Sequence, residues 1–156
     1  MVRAGRGPSL KARAIGLLAS REQSPVELRR KLAPHAESEA QLDALLDELR
    51  QQGYLSEQRF VESLIQRRAG RYGRRRIQQE LEGHRVSSEV GAPLMRVLAE
   101  TERERAYAAW QKRFGRLPSD LAERGRQHRF LAQRGFDAEV IAWVFRHARD
   151  DSANDG

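Results

Sequence analysis

The sequence of 156 residues contains no cysteine. A disulfide framework and a thiolate metal site are therefore excluded, and we expect a protein of the reducing cytoplasm. Lysine is also scarce, because only three of the 29 basic residues are lysine and the rest are arginine. Guanidinium groups favour forked contacts to carboxylate and phosphate, so the excess of arginine favours partners that present these groups.

Long apolar runs and strand patterns are missing as well. The apolar stretch 16–19 is too short for a signal peptide or a membrane span, so we expect neither. No window alternates apolar and polar residues in the manner of a half-buried strand. Apolar residues are only 39% of the chain, which suits a repeated structure better than one deep core. The sequence thus predicts an all-α fold of about nine short helices.

A pattern that returns about every fifty residues is the main positive feature. Leu32, Leu81 and Leu131, which are 49 and 50 residues apart, each end a short helical pattern. Six residues after each leucine comes a candidate helix cap, namely Ser38, Ser87 or Asp137. One supersecondary unit used three times explains the register, and stacked units make an elongated body rather than a pocket. Three helical hairpins that match by helix periodicity alone are the alternative interpretation.

The pattern divides the chain into five segments. Residues 1–8 are expected to be a flexible basic arm, and residues 150–156 a disordered acidic tail. Between them we expect three tandem three-helix repeats, over residues 9–55, 56–99 and 100–149. Within the second repeat, Gly91 and Pro93 predict a poor helix start.

Two glycine links are expected to set the angles between successive helices. Gly53 and Gly135 are natural left-handed helix stops, and each is followed by an aromatic residue. The apolar contacts expected across these links are Leu55 with Phe60 and Phe136 with Ile141.

No constellation in the sequence favours catalysis. The chain lacks a glycine-rich phosphate loop, and its four histidines are far apart with no i, i+4 pair, so we expect no metal site. The carboxylates Asp43, Asp47 and Glu48 alternate with a leucine stripe, which indicates a solvated helix face rather than a catalytic pair. We therefore predict a chain that is not an enzyme and needs no cofactor.

Six arginines lie within ten residues, at Arg67, Arg68, Arg71, Arg74, Arg75 and Arg76. The first two can complement the dipole at the end of a helix. The last three open the next helix at its positive end, where cations are unfavourable, so the cluster indicates an anionic partner. Tyr72 is the one aromatic residue considered for the surface, and a packing role for it is an equal alternative. Four other aromatic residues lie in apolar stripes and are predicted core residues, namely Phe60, Trp110, Trp143 and Phe145.

The overall charge of the chain also indicates an anionic partner. A formal net charge of +7 favours nucleic acid as a partner first and an acidic protein surface second. Residues 37–62 carry seven acids against two arginines, so the molecule should be polarised along its length.

Two stretches together resemble the signature of bacterial RecX proteins. One is Gly53-Tyr54-Leu55-Ser56 followed by Gly70-Arg71-Tyr72-Gly73 and Arg74-Arg75-Arg76-Ile77. The other is Arg129-Phe130-Leu131 through Gly135-Phe136, followed by Val140-Ile141. The resemblance covers about residues 10–148. It implies three tandem three-helix repeats in a curved, elongated molecule.

The resemblance further implies a non-enzymatic regulator that binds the RecA recombinase filament on single-stranded DNA and inhibits recombinase activity. We expect such a regulator to act as a monomer, without a metal or a membrane. The residues predicted to contact filament or DNA are Arg67, Arg68, Arg71, Tyr72, Arg74, Arg75, Arg76, Arg126, Arg129 and Arg134. An independent nucleic-acid-binding protein of the helix-turn-helix kind remains the alternative, with a recognition helix near residues 74–81 that carries Gln78 and Gln79.

Overall fold

The computed structural model describes residues 7–156, so most of the predicted arm lies outside the described residues. Within this range the chain forms nine α-helices and one 3-10 turn, and no strand. None of these helices has the length and apolar character needed to cross a membrane. The helices are α1 (Leu10–Ser20), α2 (Pro25–Leu32), α3 (Glu39–Gln51), α4 (Glu57–Arg68), α5 (Arg74–Gly83), α6 (Ser88–Glu100), α7 (Glu102–Arg113), α8 (Leu121–Gln133) and α9 (Ala138–Asn154).

Side-chain caps start many of the helices. Ser9, Ser24, Ser38 and Ser56 each accept a hydrogen bond from the backbone N–H three residues later, which satisfies a donor that the first turn leaves free. Ser87 and Asp137 stand at the caps predicted for α6 and α9, but their side chains make no capping bond. The backbone N–H of Ser87 instead donates to Glu57 Oε1 at 2.7 Å, which ties α6 to α4.

The buried apolar residues form three separate cores, one for each group of three helices. The first core contains Leu28, Leu32, Leu42, Leu45, Leu46, Leu49 and Leu55, together with Ala14. The second contains Phe60, Val61, Leu64, Ile77, Leu81, Met95 and Leu98. The third contains Trp110, Leu131, Phe136, Val140, Ile141, Val144 and Phe145, with Ala106 and Ala148.

Helices pack against one another within each group, and α6 also contacts α7, which follows it in the next group. The all-α fold of tandem three-helix repeats is therefore confirmed. Each repeat buries its own apolar face, which is why a chain with so few apolar residues can still fold.

Both glycine links adopt the predicted backbone. Gly53 and Gly135 have φ angles of 80° and 94°, in the left-handed region. Phe136 and Ile141 share the third core as expected. Leu55 completes the first core whereas Phe60 lies in the second, so the pair expected across the Gly53 link does not share a core.

Two stretches are more regular than the sequence indicates. Helix α6 includes both Gly91 and Pro93 without a break. Pro93 is exposed, and water can satisfy the carbonyl that loses its helical partner.

The tail expected to be disordered continues α9 as far as Asn154. Asp151 accepts a hydrogen bond from Tyr107 Oη at 2.8 Å and lies 3.5 Å from His147 Nε2, so side chains of α7 and α9 hold the extra turns in place.

Candidate polyanion interface

The arginine cluster lies where the second repeat meets the third. The turn between α4 and α5 packs against the turn between α8 and α9, backbone to backbone. The N–H of Gly73 donates to the carbonyl of Arg134 at 2.7 Å, and the N–H of Arg75 donates to the carbonyl of Gly135 at 3.1 Å. The two stretches that carry the sequence signature, about sixty residues apart, are therefore direct neighbours in the fold.

Tyr72 is the centre of a group of cations. Its half-buried ring lies 4.1 Å from the guanidinium carbon of Arg76, 5.6 Å from that of Arg134 and 5.8 Å from that of Arg71. Guanidinium groups at such distances are attracted by the electron-rich face of the ring. Four of the predicted interface residues thus form one cluster, which contains side chains from both repeats.

A cleft of about 390 Å³ opens beside this cluster. Arg134 stacks over Phe130 at 5.0 Å from its ring centre, and Arg113 approaches the same ring at 5.8 Å. The cleft is lined by Gly70, Arg71, Ala109, Lys112, Arg113, Phe130 and Arg134. Four cations therefore line this cleft together with a partly buried aromatic ring, and two of them approach the ring itself.

Lys112 and Arg113 are the interface residues that the sequence interpretation missed. They lie side by side in the last turn of α7, where cations complement the helix dipole, and this ordinary role gives no reason to single them out. Only the packing of α7 against α8 brings them beside Phe130.

A second cleft of about 420 Å³ adjoins the first, because Arg113 lines both. It includes Arg116 and the predicted residue Arg126, which pairs with Glu123 at 2.6 Å. The basic surface therefore continues from the junction along the third repeat.

Arg74 and Arg75 have a different environment from the rest of the cluster. A terminal guanidinium nitrogen of Arg74 lies 3.2 Å from an Asp137 carboxylate oxygen, and its Nε lies 3.7 Å from Glu102. Arg75 Nε lies 3.8 Å from the other oxygen of Asp137. Carboxylates of the third repeat thus offset the cations at the positive end of α5. The unfavourable position of Arg74 and Arg75 at the positive end of α5 is thus compensated within the chain, and it does not by itself indicate an external anion.

The remaining predicted residues are outside the two clefts. Arg68 makes a forked pair with Glu80 at 3.1 and 3.2 Å, and hydrogen bonding to that carboxylate raises the pKa of Arg68. Arg67 and Arg129 are exposed at the end of α4 and on α8.

The excess of positive charge belongs to the second and third repeats. Residues 56–99 contain nine basic and five acidic residues, and residues 100–149 contain eleven and seven, whereas residues 9–55 contain seven of each. In the first repeat, Lys11 pairs with Glu48 at 2.8 Å and Arg29 pairs with Asp43. Asp43 and Asp47 are exposed, as expected for a solvated face.

His84 links the first repeat to the second. Its Nδ1 lies 2.7 Å from Ser24 Oγ, which also accepts the N–H of Glu27. The serine hydroxyl can donate to an unprotonated Nδ1 or accept from a protonated one. His84 is the residue that follows α5 and caps its end. In the described part of the chain, no three His, Asp or Glu side chains are grouped as metal ligands would be.

Comparison with known families gives two matches. Residues 56–91 match the family model described as the second three-helix domain of RecX, and residues 100–145 match the one described as its third three-helix domain. The two matched ranges cover more than half of the chain.

Curated relatives align along nearly the full length. The regulatory protein RecX of Ralstonia pickettii is 51% identical over 148 residues, which cover 95% of this chain and 92% of that protein. The regulatory protein RecX of Leptothrix cholodnii is 46% identical over 147 residues, which cover 94% of each chain.

Solved structures share the fold at low sequence identity. The crystal structure of RecX from Lactobacillus salivarius has a TM-score of 0.78 at 14% identity and covers 90% of this chain and 94% of that one. A second crystal structure, of a regulatory protein RecX, has a TM-score of 0.71 at 18% identity and covers 86% of this chain and 72% of that one.

Proposed function

This chain belongs to the RecX family, and we propose that it is a non-enzymatic regulator that binds the RecA filament on single-stranded DNA and inhibits strand exchange. We further propose that it acts in the cytoplasm as a monomer. The relatives named as regulatory proteins support a regulatory role.

The observation that carries the proposal is the group of cations around two aromatic rings at the repeat junction. Arg71, Arg76 and Arg134 surround Tyr72, while Arg113 and Arg134 approach Phe130. Cations attract the phosphates of a nucleic acid strand, and an aromatic ring at the surface can stack with an unpaired base. The arrangement therefore suits a single strand, or the strand and protein together as a filament presents them.

The distribution of charge gives further support. The second and third repeats each carry an excess of four positive charges (nine minus five and eleven minus seven), while the first repeat is neutral. A chain with this imbalance is oriented by a polyanion, with the second and third repeats toward the negative surface. Tandem repeats supply the length to follow a filament.

The helix-turn-helix alternative has less support from the packing of α5. A recognition helix places its N-terminal residues against base edges in the major groove. Here the first turn of α5 packs against the third repeat, since the backbone N–H groups of Arg74 and Arg75 bond to Glu102 and Gly135. Gln78 and Gln79 are exposed, so duplex binding remains an outcome that experiment can distinguish.

The direct test compares three targets: naked single-stranded DNA, duplex DNA and RecA-coated single-stranded DNA, each at several salt concentrations. We expect the coated strand to be bound most tightly and strand exchange to be inhibited in the same concentration range. Equal affinity for naked and coated strands, with a steep salt dependence, would contradict the filament proposal. Preference for duplex DNA would favour the helix-turn-helix alternative.

Matched variants locate the interface. The double variant Arg71→Ala, Arg134→Ala should bind the filament less tightly and reduce the salt slope by about 0.7 for each lost phosphate contact with a single strand. The double variant Arg30→Ala, Arg50→Ala removes the same number of cations, both exposed, from the first repeat and should bind as the parent does. If both variants weaken binding equally, the junction has no special part in it.

A further inference from the structure

The first turn of α7 holds the turn between α4 and α5 from both ends. Glu102 is buried, with 4% of its surface exposed, and its Oε1 accepts a hydrogen bond from the backbone N–H of Arg74 at 3.0 Å. Arg105, three residues later, donates from Nη1 to the carbonyls of Ala69 and Tyr72 at 2.9 and 2.8 Å. Both side chains thus bind backbone groups of the second repeat.

The two charges match the helix ends that they contact. The carbonyls at the end of α4 form the negative end of its dipole, and Arg105 is placed there. The amides at the start of α5 form the positive end of that helix, and Glu102 is placed there. Burial lowers the pKa of Arg105, and the charge of Glu102 opposes that change. Because the junction is partly buried, salt screens these contacts less than it screens surface charges.

Asp137 extends the arrangement to the other side of α5. It lies at the start of α9, where it would ordinarily cap the helix, but its carboxylate instead contacts Arg74 and Arg75. The side chain of Arg74 lies between Asp137 and Glu102, at 3.2 and 3.7 Å. Two carboxylates of the third repeat therefore engage one arginine of the second.

We propose that Glu102, Arg105 and Asp137 form a clamp that sets the angle between the second and third repeats. Arg74 and Arg75 then act on binding through this clamp rather than by contacting the polyanion. The angle matters because Tyr72 belongs to the second repeat and Phe130 to the third, so the clamp positions the two rings relative to each other. The binding test of this inference rests on the proposed function, whereas its structural test does not.

The binding test asks whether removing a carboxylate of the clamp strengthens or weakens filament binding. Removing a carboxylate makes the chain more positive, so charge alone predicts tighter binding to a polyanion. The clamp predicts the opposite: Glu102→Ala and Asp137→Ala should each weaken filament binding by roughly fivefold or more. Glu139→Ala removes an exposed carboxylate from α9 and serves as the control, with binding equal to that of the parent or tighter. Unchanged or tighter binding by both clamp variants would overturn the clamp.

The structural test uses the absence of native cysteine. Cysteines introduced at exposed Ser88 and Ala122, on α6 and α8, take a pair of spin labels without competition. The parent should give one narrow distance distribution, and the double variant Glu102→Ala, Arg105→Ala should give a wider or shifted one at equal helix content. An unchanged distribution would overturn the clamp.

The two tests separate the two proposals. A parent chain that binds no filament, combined with a distribution that widens in the variant, would reject the proposed function and leave the clamp standing. Should the double variant lose helix content, Asp137→Ala replaces it in the distance measurement, because that change leaves the buried Glu102 and its bond to Arg74 in place. A distribution equal to the parent's in that variant would then count against the clamp.

Discussion

Gly73 and Gly135 lie backbone against backbone at the junction of the second and third repeats. A Cβ atom on Gly73 would lie 2.5 Å from the carbonyl oxygen of Gly135, and one on Gly135 would lie 2.6 Å from Cβ of Arg76. Side chains at either position would force the two turns apart. The close approach is what allows the hydrogen bonds from Gly73 and Arg75 to form.

Adding a methyl group at this contact should therefore destabilise the fold. Gly73→Ala and Gly135→Ala should each lower the free energy of unfolding by about 1–3 kcal/mol, the usual range for overpacking. Gly135→Ala adds the strain of a side chain at a φ of 94°. Urea titration of helix content measures the change.

Gly70→Ala is the matched control for that experiment. A Cβ at this position meets nothing within 4 Å, so the free energy of unfolding should change by less than about 0.5 kcal/mol. Equal effects at all three glycines would show that the contact between Gly73 and Gly135 is unimportant.

The ring of Tyr72 should matter more to binding than its hydroxyl group. Tyr72→Leu removes the π-face that Arg76 and Arg134 approach and should weaken filament binding by about 1–2 kcal/mol. Tyr72→Phe keeps the face and should bind nearly as the parent does. Binding assays with both variants, after a check of helix content, test this prediction. If Tyr72→Leu binds with the affinity of the parent, the ring has a role in packing but not in binding.

Stability in acid should depend on Glu27. Burial opposes ionisation of this carboxyl, but the hydrogen bonds and charge of Arg21, with help from Lys31, outweigh burial and hold the pKa of Glu27 below its ordinary value of 4.5. Because the folded pKa is lowered, the stabilisation is present above pH 4.5 and is lost as the pH falls through the folded pKa.

Glu27→Gln should therefore be less stable than the parent at pH 7, and the difference should shrink on acidification. Urea unfolding at several pH values between neutrality and strong acid measures it. Glu37→Gln, at an exposed position of the same repeat, should keep the parent's pH dependence. A constant difference between Glu27→Gln and the parent across the whole range would contradict the assignment.

Stability in alkali should depend on Tyr107. Its hydrogen bond to Asp151, then partial burial and the charge of that carboxylate, raise the pKa of Tyr107 above 10.0. With a raised folded pKa, the stabilisation is complete below the ordinary value and is lost as the pH rises through the folded one. Both side chains are partly exposed, so the effect on stability should be below about 1 kcal/mol.

The measurement is thermal unfolding of the parent and Tyr107→Phe between pH 7 and strong alkali. At pH 7 the variant should be less stable than the parent, and its stability should fall less as the pH rises. The end of α9 should fray in the variant, which lacks the bond to Asp151. Tyr54→Phe, at a tyrosine that is 45% exposed, is the control. A parent curve that matches Tyr107→Phe throughout would show that the bond to Asp151 does not stabilise α9.

Much of the fold could be predicted because its determinants are local. Serines three residues before a free amide, glycines at φ angles of 80° and 94°, and leucines at helical spacing all act within a few residues of each other. The features that the sequence did not predict depend instead on contacts between distant residues. Helix α9 runs past its predicted end because Tyr107, 44 residues earlier, holds Asp151, and no local signal reports that contact.

The candidate site was predicted only in part. The sequence identified Arg71, Tyr72, Arg76 and Arg134 as residues of interest but did not place them around one ring. It missed Lys112 and Arg113 of the cleft, because cations at the end of a helix have an ordinary local explanation.

By itself, the sequence determined an all-helical chain of three repeats, the capped starts of several helices and the excess of arginine. Those properties follow from periodicity, capping and charge, which act over a few residues. The tertiary structure alone decided how the repeats join. It brought Gly73 against Gly135, set Glu102 and Asp137 beside Arg74, and left Arg71 and Arg134 at the cleft. Contacts between residues 28 to 63 positions apart depend on the packing of whole helices, and no local pattern encodes them.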